Sequence, residues 1–317
     1  MEKLSLFAVS LSLIMLAIIW PYKSLATEEA EEINLTRLGF TKSKLKTPTG
    51  EIAVFEAGKG EPLLLLHGIG AGASSYIWFE IAPQLAEHYR VIAPDFVGWG
   101  ESDRLTRDIL FEDYVTQITA LGEWVGEPVR VLTQSLSCGF VLSAIEKGGI
   151  EVSKLVLNTP SGGFDFGVDA VGEQGTQSFL RISESPQRNQ IYAQIFHQRP
   201  AIEDWWRQEG FKDGKNVPLE IIENNLYNAR RPNASYSALP FLSGKLRYDI
   251  APLLEKVSVP TIMLWGDEEF RIRPEVQARI SKINPDIEVI RIKNARSAFE
   301  VEKPEQTLGV IMPFLKN

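Results

Sequence analysis

The chain has 317 residues, of which 44% are hydrophobic and 23% are charged. This composition excludes a disordered chain, and the length is sufficient for one large core with a smaller inserted unit. The formal net charge of −8 comes without a basic stripe. A nucleic-acid partner is therefore excluded, because nothing in the sequence is arranged to neutralise phosphates.

The N-terminus has the pattern of a targeting segment. Leu4–Trp20 carries no charge and follows Lys3, and Ser24-Leu25-Ala26 supplies the small residues that a signal peptidase recognises. Residues 1–26 are therefore predicted to be a signal peptide of an exported protein, whether periplasmic, lumenal or extracellular. The alternative is an uncleaved membrane anchor through residues 4–20, because this stretch approaches the ~20 residues that span a bilayer.

Cysteine and histidine usage limits the chemistry. Cys138 is the one cysteine, so an internal disulfide is excluded, and it is interpreted as a small buried hydrophobe. Histidines stand at positions 67, 88 and 197, with no metal-ligand spacing. We predict neither a metal site nor a cofactor.

Two edge strands are predicted ahead of the main sheet. Phe40–Lys46 and Ile52–Glu56 alternate polar and apolar residues, and Thr47–Gly50 between them has the residue types of a hairpin turn. Such a pair forms antiparallel strands.

The next segments predict a parallel sheet. Leu63–Leu66 and Val91–Ala93 are apolar on both faces, as strands inside a parallel sheet are. Between them, Ser74–Tyr89 is predicted to be one helix, capped by Ser74 or Ser75. The order of strand, helix and strand indicates an α/β protein.

The glycine-rich loop after the first buried strand has three interpretations. It reads His67-Gly68-Ile69-Gly70-Ala71-Gly72-Ala73. As G-x-G-x-x-A, with Asp95 closing the next strand, it matches a dinucleotide-binding pattern and would indicate an NAD(P)-dependent enzyme. As an oxyanion loop, its glycines Gly68 and Gly70 let the backbone N–H of Ile69 face a developing negative charge. The third interpretation is a tight turn with no further role.

Asp95-Phe-Val-Gly-Trp-Gly-Glu-Ser102 follows the next buried strand, about 30 residues after the His-Gly loop. This D-x-x-G-x-G-x-S stretch resembles the α/β-hydrolase fold family. The resemblance extends over residues 40–314 and implies a mostly parallel eight-stranded sheet with helices on both faces. It also implies that Asp95 braces its loop and does not hold a ribose.

Val129–Phe140 is predicted to be the strand, nucleophile and helix of a nucleophile elbow. Ser135 is the nucleophile candidate, and the resemblance implies that the backbone N–H of Leu136 is the second oxyanion donor. The family pattern G-x-S-x-G reads T-x-S-x-S here, with Thr133 and Ser137 at the glycine places. The stiff, β-branched Thr133 is the larger departure. Ser135 as an inert turn residue remains an alternative.

The resemblance implies that residues 163–246 form a helical cap, inserted into a core formed by residues 27–162 and 247–317. The insertion is rich in aromatic residues, most of which are expected in the cap's own core and a few of which face the cleft. A small, largely apolar ligand is therefore predicted. The aromatic residues are Phe164, Phe166, Phe179, Tyr192, Phe196, Trp205, Trp206, Tyr227, Tyr236 and Phe241.

The resemblance implies a catalytic set that this sequence completes only in part. The family pattern W-G-x-x-D places the acid on Glu269, with Asp267 as a second candidate. The family ending before Glu302 places Ser297 where a histidine is usual and Arg296 at the preceding glycine. Arg296 cannot accept a proton. His197, in the cap, is the remaining candidate for a substitute base.

Three functional hypotheses follow. The first is an exported or membrane-tethered α/β-hydrolase-fold protein that binds a small apolar, ester-like ligand without Ser-His-Asp turnover. The second is an active carboxyl-ester hydrolase that uses Ser135 with a non-standard base. The third is an NAD(P)-dependent enzyme, supported only by the glycine pattern.

Overall fold

A computed structural model describes residues 32–162, 171–269 and 274–316. The predicted targeting segment, residues 1–26, lies outside the described residues, and so do Phe164 and Phe166. Within the described ranges, no helix is long and apolar enough to cross a membrane.

The described residues form one eight-stranded sheet in the order β1-β2-β4-β3-β5-β6-β7-β8. Strands β1 and β2 pair antiparallel, and β2 pairs antiparallel with β4. The other neighbouring strands are parallel. The predicted α/β-hydrolase architecture is confirmed. The strands are β1 Thr41–Lys46, β2 Glu51–Ala57, β3 Pro62–Leu66, β4 Arg90–Pro94, β5 Val129–Gln134, β6 Val152–Asn158, β7 Thr261–Gly266 and β8 Glu288–Ile292.

Helices cover both faces of the sheet, and six of the described helices, α4 to α9, lie between β6 and β7 in the chain. The helices are α1 Ala82–Ala86, α2 Phe111–Val125, α3 Ser137–Glu146, α4 Gly172–Glu184, α5 Arg188–Phe196, α6 Arg199–Trp205, α7 Leu219–Arg230, α8 Ser235–Leu242, α9 Ala251–Lys256, α10 Pro274–Ile283, α11 Phe299–Glu302 and α12 Pro304–Lys316. Shorter 3-10 turns cover Leu35–Leu38, Ser75–Trp78 and Gly214–Asn216, and a π turn covers Trp206–Gly210.

The helix predicted over Ser74–Tyr89 is divided. A 3-10 turn over Ser75–Trp78 precedes the short helix α1, which begins with Pro83 in its first turn. Proline has no backbone N–H and is tolerated at a helix start, whereas inside one long helix it would remove a hydrogen bond. The prediction of a single helix was therefore wrong. Ser74 caps the first turn, since its side chain accepts from the backbone N–H of Tyr76 at 3.3 Å.

The hydrophobic core has two layers, one on each face of the sheet. Leu64 and Leu66 face one layer, while Leu63 and Leu65 face the other. All four side chains are fully buried, which explains why β3 shows no polar alternation. The parallel strands β3, β5, β6 and β7 place their carboxyl ends along one edge of the sheet, where an open α/β sheet binds its ligands.

Candidate functional site

Ser135 lies in a sharp turn between β5 and α3. Its φ is +56°, a left-handed conformation that non-glycine residues rarely adopt. Its backbone N–H donates to the carbonyl of Asn158 at 2.9 Å, which ties the turn to the end of β6. Its Oγ lies 3.2 Å from Oγ of Ser161. Such strain costs about 1–3 kcal/mol and persists only where the surroundings enforce it.

The two residues at the expected glycine positions fit this turn. Thr133 and Ser137 are both fully buried, and the hydroxyl of Ser137 donates to the carbonyl of His67 at 2.6 Å. The crowding expected from Thr133 does not prevent Ser135 from reaching its positive φ. Ser137 instead joins the turn to the start of the glycine loop.

Gly139, just beyond the family's glycine position, has a packing role of its own. A Cβ at Gly139 would lie 2.2 Å from ring carbons of Tyr248, and one at Gly162 would lie 2.5 Å from the same ring. The Tyr248 hydroxyl donates to the carbonyls of Leu136, at 3.0 Å, and Ser161. Tyr248 therefore joins the turn after Ser135 to the loop that follows β6.

Replacing Tyr248 with Phe should destabilise the protein by about 1–3 kcal/mol, because two partly buried carbonyls lose their shared donor. Urea unfolding of the wild type and Tyr248→Phe measures this difference. Tyr236→Phe, in the inserted helices, is the matched control and should change stability by less. Equal midpoints for Tyr248→Phe and the wild type would show that this hydroxyl does not brace the turn.

The glycine loop forms one wall of a cavity that also contains Ser135. Gly68, Ile69 and Gly70 line the cavity, whereas Leu136 is almost completely buried and is not part of the lining. Gly72 has φ +75°, and a Cβ there would lie 1.8 Å from the carbonyl oxygen of Asn225. The loop therefore packs directly against α7. The oxyanion roles of the Ile69 and Leu136 amides stay predictions.

Asp95 uses both carboxylate oxygens to hold backbone. Oδ1 accepts from the N–H of Ser75 at 2.6 Å, and Oδ2 accepts from the N–H of Glu101 at 2.7 Å. A Cβ on Gly100 would lie 1.9 Å from this carboxylate, so the turn needs glycine there. These contacts support a bracing role for Asp95 and give no support to its binding a ribose.

His67 lies at the cavity wall, and both nitrogens of its ring hydrogen-bond to backbone groups. Its Nε2 accepts from the N–H of Phe96 at 3.1 Å, so Nδ1 carries the proton and donates to the carbonyl of Gly68 at 2.7 Å. Burial lowers the pKa of His67, and the ring is therefore neutral at pH 7. With both nitrogens engaged, His67 has no free position at which to accept a proton from Ser135.

The other two histidines are not part of the cavity lining. His197 directly follows α5, its carbonyl accepts from Arg230 Nε at 3.0 Å, and its ring packs edge-on against Tyr192. Burial and the nearby Arg230 lower the pKa of His197. His88 is exposed at the surface. His197 as a substitute base remains a prediction without a supporting contact.

Glu269 and Ser297 line the same cavity as Ser135. The Ser297 hydroxyl donates to the backbone carbonyl of Glu209 at 3.2 Å, and the Ser297 carbonyl accepts from Thr159 Oγ1 at 3.3 Å. Thr159, with φ +41°, is a second strained residue in the lining. Strain of this kind concentrates at functional sites.

The two remaining predicted site residues lie outside the cavity lining. Asp267 is exposed, and its Oδ1 lies 3.4 Å from the backbone N–H of Ala295. Arg296 directs its guanidinium to the carbonyls of Gln208 and Phe211 in the inserted segment. Of the two acid candidates, Glu269 lines the cavity that contains Ser135, and Asp267 does not.

The cavity has a volume of about 230 Å³ and a largely apolar lining. Among the predicted aromatic residues, Phe179 and Tyr192 are buried within the inserted helices, while four others line the cavity. The apolar side chains of its wall are Ile69, Ala71, Ala73, Ile77, Val171, Phe196, Ala201, Ile202, Trp205, Trp206, Phe241 and Leu242. The wall of the cavity is therefore mainly apolar.

The polar lining residues that sequence reasoning missed include Gln134, Thr159 and Ser161 and, in the inserted segment, Glu209 and Asn225. The first three follow from topology, because they lie at or just after the carboxyl ends of β5 and β6. Glu209 and Asn225 lie in the inserted segment, where no local pattern indicates which side chains face the sheet.

Comparison with known proteins agrees with this geometry. Lipase 1 from Psychrobacter immobilis is 26% identical over 257 residues, which cover 78% of this chain and 74% of the lipase. Lipase 3 from Moraxella sp. is 25% identical over 253 residues, covering 78% of this chain and 75% of that protein. Both relatives thus align with most of the chain.

Solved structures with the same fold include a serine hydrolase involved in carbazole degradation, with a TM-score of 0.70, 22% identity, and coverage of 87% of this chain and 99% of that one. A carboxylesterase from Bacillus subtilis has a TM-score of 0.68 and 17% identity, and covers 98% of both chains. A family model described as alpha/beta hydrolase fold matches residues 61–303, which is well over half of the sequence. This chain therefore belongs to the alpha/beta hydrolase fold family.

Proposed function

We propose that this protein binds a small, largely apolar, ester-like molecule in the cavity beside Ser135 and does not turn it over by the Ser-His-acid route. The observation that carries the proposal is Ser297, which stands in the family's histidine place and lines the cavity together with Ser135 and Glu269. The other lining residues suit such a ligand, because the walls are mainly apolar with a few polar groups near the serine.

The state of His67 supports the absence of standard turnover. A serine hydroxyl is a weak nucleophile at neutral pH unless a base takes its proton. Among the described lining residues, His67 is the one imidazole, and backbone groups occupy both of its nitrogens. Loss of the histidine of a serine triad costs about 10⁶ in rate.

A second candidate, an active carboxyl-ester hydrolase, is favoured by the turn at Ser135. The residue keeps its strained φ of +56° although the usual glycines are absent. The similar proteins named as lipases also support hydrolysis. In this case the base that activates Ser135 is not the histidine of the family pattern.

We also propose that the protein is exported or membrane-tethered through its N-terminal segment. The uncharged stretch Leu4–Trp20 and the small residues before Thr27 support export. N-terminal sequencing of the protein from the native cell should begin at Thr27 if the signal is cleaved. A start at Met1 in the membrane fraction would favour the anchor, and a start at Met1 in the soluble fraction would contradict both.

A fluorophosphonate probe, which reacts with activated serines, distinguishes the two candidate functions. We expect the wild type to label no faster than Ser135→Ala. Ser178→Ala, in α4, is the control for a serine outside the cavity. Labelling of the wild type that disappears in Ser135→Ala and persists in Ser178→Ala would establish the second candidate.

Binding is measured through Trp205 and Trp206, which line the cavity and report on its contents. Adding phenyl butyrate should produce a saturable change in tryptophan fluorescence. Ala201→Phe, which fills the cavity from its lining without adding a tryptophan, should abolish that change. A wild-type titration without saturation would contradict the proposed ligand class.

A further inference from the structure

Three polar side chains lie together at the carboxyl ends of two central strands. Gln134 ends β5 and Asn158 ends β6, and the two are partners in the parallel register, so their side chains leave the sheet on the same face. Glu300, in α11, is fully buried. Its Oε1 accepts from Nε2 of Gln134 at 2.5 Å. The cluster thus connects the strand that carries Ser135 with the segment that follows Ser297.

This cluster is unfavourable for stability. Glu300 Oε2 and both amide atoms of Asn158 are buried and have no hydrogen-bond partner among the described residues. Burial raises the pKa of Glu300 to about 8, so the carboxyl is neutral at pH 7. Each unsatisfied buried polar group is costly, and apolar residues of similar shape would be tolerated as well or better. Stability therefore does not account for the cluster.

The cluster contacts the cavity through Gln134. This residue is part of the cavity lining. A Cβ added to Gly68 would lie 3.1 Å from Gln134 Oε1 and 3.1 Å from Cβ of Ser135. The amide of Gln134 is therefore held between Glu300 on one side and the glycine loop on the other. The orientation of the Gln134 side-chain amide determines whether Oε1 or Nε2 faces Gly68.

We propose that Glu300 is a positioning residue, which acts through Gln134 to hold the Gly68 loop against Ser135. An acceptor oxygen at position 300 binds the amide N–H₂ of Gln134 and directs Oε1 toward Gly68. The neutral carboxyl performs this task through its carbonyl oxygen, so charge is not required. The ligand-binding part of the test below rests on the proposed function, whereas the hydrogen-exchange part does not.

The combination Gln134→Leu/Glu300→Leu tests the proposal by separating stability from binding. We expect its melting temperature to equal or exceed that of the wild type, while its Kd for phenyl butyrate rises about tenfold. Glu300→Gln, which keeps an acceptor oxygen, should keep the wild-type Kd within twofold. Glu305→Gln, at an exposed position of α12, is the control and should change neither quantity. A purely structural role would give the opposite pattern, with a lower melting temperature and unchanged affinity, and would overturn the proposal.

Hydrogen–deuterium exchange gives a readout that needs no ligand. Amides of residues 67–73 should exchange faster in Gln134→Leu/Glu300→Leu and at the wild-type rate in Glu300→Gln. If the double variant does not fold, Gln134→Asn, which is one methylene too short for both contacts, should show the same faster exchange. If the wild type does not bind phenyl butyrate, the proposed function fails, but the exchange rates still decide the role of Glu300. Equal exchange in all variants would overturn it.

Discussion

Replacing Ser297 with His is expected to raise the hydrolysis of p-nitrophenyl butyrate by at least ~10²-fold. Ser297, Glu269 and Ser135 line one cavity, so an imidazole introduced at position 297 shares that cavity with an acid and with a serine that already has the strained φ of a nucleophile. The histidine of a triad is worth about 10⁶ in rate, near 8 kcal/mol. We expect only a fraction of this rate factor, because the site did not evolve around an imidazole at position 297. The hydroxyl that is removed bonds only the carbonyl of Glu209 among the described contacts, so the substitution leaves the fold intact.

The control for this gain is the double substitution Ser135→Ala/Ser297→His. It should return the rate to the wild-type level, because the new base then has no nucleophile to activate. Initial rates of p-nitrophenolate release at pH 7.5 measure all three proteins. A gain that survives the loss of Ser135 would show that the introduced histidine acts on water directly. No gain at all would show that Glu269 and the oxyanion donors are not aligned with Ser135.

The sheet was predictable because its local sequence is consistent with its final environment. Leu63–Leu66 reads apolar on both faces, and the structure buries all four side chains inside a parallel sheet. Thr47–Gly50 predicted the antiparallel pairing of β1 and β2. The position of Ser135 between a β-branched strand and an apolar helix likewise predicted the turn. In each of these cases, residues that are close together in the sequence determine the local structure.

The contacts that shape the candidate site were not predictable in the same way. Glu300 and Gln134 are 166 residues apart, and Tyr248 reaches Leu136 across 112 residues. The neighbours Phe299 and Val301 are apolar and buried, but Glu302 and Lys303 are charged and partly exposed, so the local sequence does not indicate which surroundings Glu300 has. The ring of Tyr248, more than 100 residues away in the sequence, explains why position 139 is a glycine. The residue types at such positions are determined by tertiary packing, which the hydrophobic periodicity of the sequence does not reveal.

Glu300→Gln is expected to make the protein progressively more stable than the wild type as the pH rises from 5 to 8. The pKa of Glu300 is about 8 in the folded protein, against 4.5 for an unperturbed glutamic acid, because burial disfavours the carboxylate. The folded state therefore holds a proton that the unfolded state releases. The stability contributed by this proton is fully present below pH 4.5 and is lost as the pH rises through 8. Between pH 5 and pH 8 the loss is on the order of 4 kcal/mol, and glutamine, which does not titrate, avoids it.

Urea unfolding at several pH values from 5 to 9 measures this effect as the difference in unfolding free energy between Glu300→Gln and the wild type. Taking the difference removes the pH dependence of all other groups, as well as any constant effect of the substitution on packing. The difference should grow with pH up to about 8 and then level off, because above that pH Glu300 is ionised in both states. Glu305→Gln should give a difference that is small and nearly flat, since Glu305 is exposed at the surface. A flat difference for Glu300→Gln would mean that the carboxyl is already ionised at pH 5 in the folded protein, held by charges or water that offset its burial.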